Sequence, residues 1–291
     1  MTRREGALVL FPGALGDAVC LEPAMAWLAA RLPVTLHARG GAAEVATLYP
    51  APVTLRSLDG VEVARLFAPA DDPQTTAWLD GFARVVSFTG ADAPGVAARL
   101  AATGRAAVVR FPRPPLAEHA ADLFLRAVGG DPARTPAVPR LVVRDADPAD
   151  GGAAPLLALL PGSGGHAKRA PSALHAAIAG RWRRAGGAVA LVLGPAEQGE
   201  DDDWTGIGSI VRPASVAELA RLLARAAAFV GNDAGPSHVA AALGTPGVVL
   251  YATTAPGQFG PRGVRVSAVQ LSTGETEAVE AAWRVLRGAL P

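Results

Sequence analysis

The stretch "AAFVGNDAGPSHVAAALGTPGVVLY", residues 227–251, reads as one repeat of a parallel α/β fold. An apolar run at 227–230 meets a turn of small residues, Pro236 opens a helical stretch over 237–243, and a second apolar run follows at 248–251. Strands joined through a helix lie parallel, since an antiparallel pair needs only a tight hairpin. The same alternation extends in both directions. Strands are expected at 7–11, 34–38, 84–88, 107–111, 156–160, 188–193 and 265–269. Helical spacing appears at Leu21, Met25 and Leu28 and over 116–128, 172–185, 216–227 and 275–290.

The pattern breaks at "RDADPADGGAAP", 144–155, where Asp, Pro and Gly replace apolar periodicity. A linker there divides the 291 residues into domains at 1–147 and 155–291, each large enough to bury its own core. Each half reads as a doubly wound α/β unit, which binds ligands at the carboxyl ends of its strands, so that two facing units leave a cleft. The last helix is expected to pack back toward the first domain.

Composition excludes several classes. The apolar runs are interrupted by Gly, Pro or Arg well short of the roughly 20 residues of a bilayer span, so no transmembrane helix is expected. Arg3 and Arg4 precede only the short apolar stretch 7–11, which argues against a cleaved secretory signal and for the cytoplasm. Cys20 is the single cysteine, which rules out an internal disulfide and a multi-thiolate metal site. Residues 1–150 carry 15 Arg against 16 Asp and Glu, and the net charge of the whole chain is +1, so no nucleic-acid partner is expected. Only one of the 27 basic residues is a lysine, Lys168, and Asn232 is the single asparagine. Each falls beside a glycine-bearing loop.

In the loop after 227–230, Pro236 suits the first helical position, with Gly235 as N-cap and the N–H groups of Ser237 and His238 open to an anion. A diphosphate would lie on those donors and on the positive end of the helix dipole, with His238 in the first turn. Asp233 would repel phosphates, and makes sense as an acceptor from sugar hydroxyls or from loop N–H groups. The plainer reading of these residues is a tight turn with an Asx cap and a satisfied histidine.

The loop after 156–160, "LLPGSGGHAKRAPSALHAA" (159–177), repeats the arrangement. Ser163 and Gly164 bring backbone N–H groups to a phosphate, and Lys168 supplies a mobile charge. The Walker pattern does not fit, because Ala167 precedes Lys168 and Arg169 follows it, and a dinucleotide fingerprint requires Ala167 in its last glycine position. After the next strand Glu197 stands where an acid grips ribose hydroxyls, Asp201 to Asp203 read as a solvated face, and Pro213 and Val216 as the lining of a nucleobase pocket. In the first half, "LVLFPGALGDAVCLEPAMAWLAARLP" (8–33) carries Asp17 after a glycine turn. Either the helix begins near Asp17 and runs through Pro23, or Pro23 opens it. Asp17 can serve as general base toward an acceptor hydroxyl if desolvation lifts its pKa from about 4. Taken alone it would be read as a helix N-cap.

The two loops and their order resemble glycosyltransferase family nine, the heptosyltransferases of lipopolysaccharide core assembly. The resemblance runs through "GALGDAVCLEPAMAWLAARLP" (13–33), 159–177, "LVLGPAEQGE" (191–200), "VGNDAGPSHVAAALGTPGVVLY" (230–251) and "TTAPGQFGPRG" (253–263), with the weaker "HAADLFLRAVG" (119–129). It implies a GT-B fold of two Rossmann-like domains, with the donor on the second and the acceptor on the first, inversion at the anomeric carbon, no cofactor and no required metal. By the same resemblance Asp17 is the base, Lys168 the diphosphate cation, Glu197 the ribose partner, and Asp233, Gly235 and His238 contact sugar and diphosphate. The default donor is ADP-heptose and the acceptor a glycan or lipid-linked glycan, with at most peripheral contact at the inner face of the inner membrane. The chain departs from the family pattern at Ala234, where a hydroxyl residue is usual, at Ala170 for Trp, and in "YATTAP" (251–256). A degenerate nucleotide-sugar binder, a GT-B epimerase and a nicotinamide dehydrogenase are the competing classes.

Overall fold

The computed structural model describes residues 4–69, 72–144, 154–194, 197–199 and 204–290, without the side chain of Thr273. Residues 145–153 of the expected linker at 144–155, and Asp201 to Asp203, lie outside these residues. The chain divides into two compact units, Met1–Arg140 and Leu141–Pro291.

The first unit runs β1 (Ala7–Leu10), α1 (Leu15–Ala29), β2 (Val34–Ala38), α2 (Gly40–Ala46), β3 (Thr54–Ser57), α3 (Val61–Leu66), α4 (Pro73–Asp80), β4 (Arg84–Ser87), α5 (Pro94–Ala102), β5 (Ala106–Val108) and α6 (Ala120–Ala127). Its strands form a parallel sheet in the order β3-β2-β1-β4-β5, with Ala7 opposite Val34 on one side and Arg84 on the other. The winding therefore reverses between β1 and β4. As the central strand, β1 is apolar at all four positions and fully buried. Leu8, Leu10, Val85 and Leu100 lie in one core cluster.

The second unit continues with β6 (Leu156–Leu160), α7 (Ser172–Arg184), β7 (Ala188–Val192), β8 (Ser209–Val211), α8 (Val216–Arg225), β9 (Ala228–Asn232), α9 (Gly235–Ala242), β10 (Gly247–Tyr251), α10 (Pro256–Phe259), β11 (Val266–Gln270) and α11 (Glu275–Leu286). All its neighbours are parallel and the order is β11-β10-β9-β6-β7-β8, so the winding reverses between β6 and β9. Leu159, Ile178, Trp182, Leu191, Val230 and Leu250 share its core. The last helix, expected to return to the first domain, is built into its own unit: α11 packs on α7, β10 and β11 through Ala278, Val279, Ala282 and Leu286. An ion pair between Arg181 of α7 and Glu280 of α11 closes the outside of that contact.

The strands β3 and β8 escape the sequence reading, because both are short edge strands with little burial, whose residues need not be apolar. The helices α2 to α5 and α10 escape it as well.

Candidate functional site

Each unit gathers its polar loops at the carboxyl edge of its sheet, beside the point where the winding reverses. Two strands whose connections depart in opposite directions leave a crevice between their carboxyl ends, the usual ligand position in such sheets.

In the second unit that crevice lies between β6 and β9, and the loops that follow them are the two glycine-bearing loops. The Nζ of Lys168, in a short 3-10 turn at His166–Lys168, stands 3.6 Å from Oδ2 of Asp233. The Thr254 hydroxyl, from the loop after β10, donates to the same oxygen at 2.8 Å. Asp233 is buried while the Lys168 side chain is 42% exposed. An ion pair that long and that open contributes about 1 kcal/mol at most, so Lys168 can leave Asp233 for a phosphate at small cost.

Behind this pair lies a second one. Arg169 approaches Glu197 at 3.2 Å with both side chains largely buried, and its guanidinium also lies 3.4 Å from the carbonyl of Ser163. The other carboxylate oxygen of Glu197 accepts the Gly194 N–H at 2.8 Å. Glu197, expected as an open partner for ribose, thus already engages both of its oxygens, and a ribose hydroxyl would have to share one of them.

The expectation for α9 is corrected. Its N-cap is Ala234, Gly235 is the first helical residue, and both the Ser237 and His238 N–H groups donate to the Ala234 carbonyl, at 3.0 and 3.3 Å. With Pro236 lacking an N–H, the Gly235 N–H stands outside these bonds. The Ser237 hydroxyl is fully buried and donates to the Asn232 carbonyl at 2.6 Å, so it braces the loop. His238 is buried in the first turn. Ser163 is also buried, whereas Gly164 has open space around it. Pro213 and Val216 stand two strands away, where β8 ends and α8 begins, and Val216 is buried.

In the first unit Asp17 occupies the third position of α1, and Pro23 lies inside that helix, which decides between the two readings of the sequence. The Asp17 carboxylate accepts the Ala14 N–H at 2.9 Å, as the acidic half of a capping box does. Only glycine fits two residues past β1's apolar extension, because a Cβ on Gly13 would lie 2.6 Å from the Phe11 ring and 2.8 Å from the Asp17 Cβ. Phe11 meets Phe88 and Phe124 edge-on, with ring centroids 5.8 and 5.5 Å apart. Against those rings opens a cavity of about 570 Å³, lined by Phe111 and Leu116 and rimmed by Arg110 and Arg113. Farther along α1, Glu22 is buried and accepts the Arg140 N–H at 2.9 Å; burial pushes its carboxyl up to about 7, a rise that Arg140 partly offsets.

The sequence reading does not single out Thr254, Arg110 or Glu22, marks Asn232 only as the single asparagine, and notes Arg169 only as a mismatch to the Walker pattern. Asn232 and Lys168 carried a usable signal as singletons. Among the described residues no group of three or more His, Cys, Asp or Glu side chains could hold a metal ion, and no helix is long and apolar enough to cross a membrane.

Comparison with known proteins gives a consistent picture. The model of glycosyltransferase family 9 (heptosyltransferase) matches residues 87–285. No curated protein matches the sequence. Among solved structures, a glycosyltransferase family 9 protein of Veillonella parvula superposes with a TM-score of 0.77 at 16% identity, over 99% of this chain and 98% of that one. The ADP-heptose lipopolysaccharide heptosyltransferase II of E. coli gives 0.75 at 18% identity, over 97% and 99%. The E. coli heptosyltransferase WaaC with ADP gives 0.70 at 18% identity, again over 97% and 99%.

Proposed function

The chain belongs to glycosyltransferase family 9, the heptosyltransferases, and is a glycosyltransferase; we propose that it is an inverting, metal-independent one that moves a sugar, by default heptose, from a nucleoside diphosphate to a hydroxyl of a glycan or lipid-linked glycan acceptor of the lipopolysaccharide-core type. ADP-heptose is the proposed donor, in keeping with the ADP carried by one structural neighbour. The proposed setting is the cytoplasm, with peripheral contact at the inner face of the membrane.

The observation that carries the reading is the order of groups along one sheet edge. From β10 to β8 the carboxyl ends present Thr254, then Asp233 and His238, then Ser163, Gly164 and Lys168, then Glu197, then Pro213 and Val216. These five strands span about 19 Å at the usual spacing of about 4.8 Å. Sugar, diphosphate, ribose and base succeed one another in the same order along an extended donor. The Lys168 ammonium and the Gly235 N–H take the diphosphate, Asp233 with Thr254 takes sugar hydroxyls, Glu197 shares an oxygen with ribose, and Pro213 and Val216 flank the base.

Asp17 takes the proton of the acceptor hydroxyl as that oxygen attacks the anomeric carbon. The bond to the diphosphate breaks, its electron pair passes to the departing phosphate oxygen, and Lys168 stabilises the charge that collects there. A single displacement inverts the anomeric centre. The cavity behind Phe111 is the proposed entry of the acceptor, with Arg110 and Arg113 at its rim.

Titration of ADP, UDP, GDP and NAD in EDTA, together with a transfer assay, tests this. One nucleoside diphosphate should bind the wild type without metal, and Lys168→Ala should weaken it about tenfold or more, the loss of a charge-assisted contact. Asp17→Ala should abolish transfer and spare that affinity. Binding of NAD alone, or of no diphosphate, would overturn the donor assignment.

A further inference from the structure

We propose that Asn232 is a positioning residue for the donor, its amide clamping both feet of the loop that carries Lys168 and so fixing where that cation stands. The inference rests on the donor reading above and assigns a role that the reading itself does not need.

Asn232 closes β9 and is fully buried. Its Nδ2 donates to the Pro161 carbonyl at 2.5 Å, and its Oδ1 accepts the Ala170 N–H at 3.0 Å. Pro161 directly follows β6, and Ala170 stands two residues before α7. One side-chain amide thus holds the beginning and the end of residues 162–169, three of which are glycine.

A glycine-rich segment loses more conformational freedom on ordering than any other, so this loop needs external restraint to keep one shape. Its own structure comprises the 3-10 turn at His166–Lys168 and the fold-back of Arg169 toward Ser163, and Arg169 also ties the end of the loop to Glu197. A weaker brace comes from the Thr253 hydroxyl, which donates to the Ala167 carbonyl at 3.2 Å. The clamp also fixes a distance. Asp233, the partner of Lys168, is the next residue after Asn232, so the backbone segment that anchors the loop also carries the carboxylate its cation faces.

The chemistry of the clamp selects the residue type. Pro161 offers an acceptor and Ala170 a donor, so the bridging side chain must donate and accept at once. A carboxylate can accept from Ala170 but sets like partial charges against the Pro161 carbonyl. A serine hydroxyl is too short to span both feet, and glutamine is longer by one methylene.

The test combines amide hydrogen exchange at Ala170 with the affinity for the nucleoside diphosphate found by titration. Both are measured on the full chain for wild type, Asn232→Asp and Asn232→Ala, each with and without Lys168→Ala. Asn232→Asp should keep Ala170 protected yet weaken the diphosphate about ten- to a hundredfold, the size of effect expected when a binding group is misplaced by about an ångström. Asn232→Ala should expose Ala170 as well. In the Lys168→Ala background both substitutions should lose most of their effect on affinity, because they act through Lys168. Equal weakening in both backgrounds would make Asn232 a general structural residue and overturn the proposal. Exchange at Ala170 as fast in wild type as in Asn232→Ala would overturn the clamp and leave the donor site standing. Failure of the wild type to bind any nucleoside diphosphate would overturn the donor reading and this role together. If Asn232→Ala does not fold, the isosteric Asn232→Asp alone completes the cycle.

Discussion

Gly162 sits where a methyl group would meet a fixed carboxylate: a Cβ there would lie 2.5 Å from Glu197 Oε1 and 2.7 Å from Oε2. Arg169 and the Gly194 N–H hold those oxygens, so Glu197 cannot step aside without breaking a largely buried pair. Gly162→Ala should therefore cost about 1–3 kcal/mol by overpacking, read as a lower denaturant midpoint, and should weaken the diphosphate as well. An unchanged midpoint would mean that Glu197 yields freely. The sequence made this stretch legible as a glycine-rich loop between β6 and α7, with Lys168 in it. It could not reveal that Glu197 is committed to Arg169, 28 residues earlier, or that Asn232 reaches Pro161 across 71. Such contacts are decided by which strands become neighbours, and no local spacing records that.

Two neighbouring helices of the second unit begin in contrasting ways. In α8 the Ser215 side chain accepts the Glu218 N–H at 3.2 Å, and the Glu218 carboxylate accepts the N–H of Ala214, the residue before the cap, at 2.8 Å. In α9 the N-cap is Ala234, which offers no side-chain acceptor. Ser215→Ala should lower stability by about 1 kcal/mol without changing the diphosphate affinity. Ala234→Ser should tighten the diphosphate, by returning a hydroxyl to the helix start; thermal melts and titrations of the two variants separate these effects. At this scale the elements with strong burial are readable: β1, β6, β9 and β10 are central, buried strands, apolar throughout in β1 and β6 and over 228–230 in β9. The sequence puts the start of α9 one residue late, because Pro236 fits the first helical position as well as the second, which it occupies.

Across the whole molecule, the two units carry opposite responses to pH. In the first, burial raises Glu22 to about 7, so the folded unit keeps a proton that the unfolded chain releases above pH 4.5, and stability falls as pH rises through that window. In the second, His175 is fully buried against the edge of Trp204, and among the described residues neither ring nitrogen has a hydrogen-bond partner. Burial lowers it from 6.5 to about 4, so the unfolded chain binds a proton that the folded unit refuses, and stability falls as pH drops through that window, by about 3 kcal/mol in all. Between pH 4.5 and 6.5 acidification should therefore raise the melting transition of the first unit and lower that of the second. Glu22→Gln and His175→Phe should each remove one of the two slopes in calorimetry. The division into two α/β units was legible from alternation and length, whereas these buried groups were not, since a Glu or His in a helix carries no mark of what will cover it. The reversal of winding between β6 and β9 has a further consequence, one of timing. On the ribosome the lysine loop emerges about 70 residues ahead of the asparagine that holds it, a wait of about four to fourteen seconds at about 5–20 residues per second. Through that interval a nascent chain carries the glycine-rich segment without the amide that joins its two feet, so the loop takes its final shape only after β9 has been made.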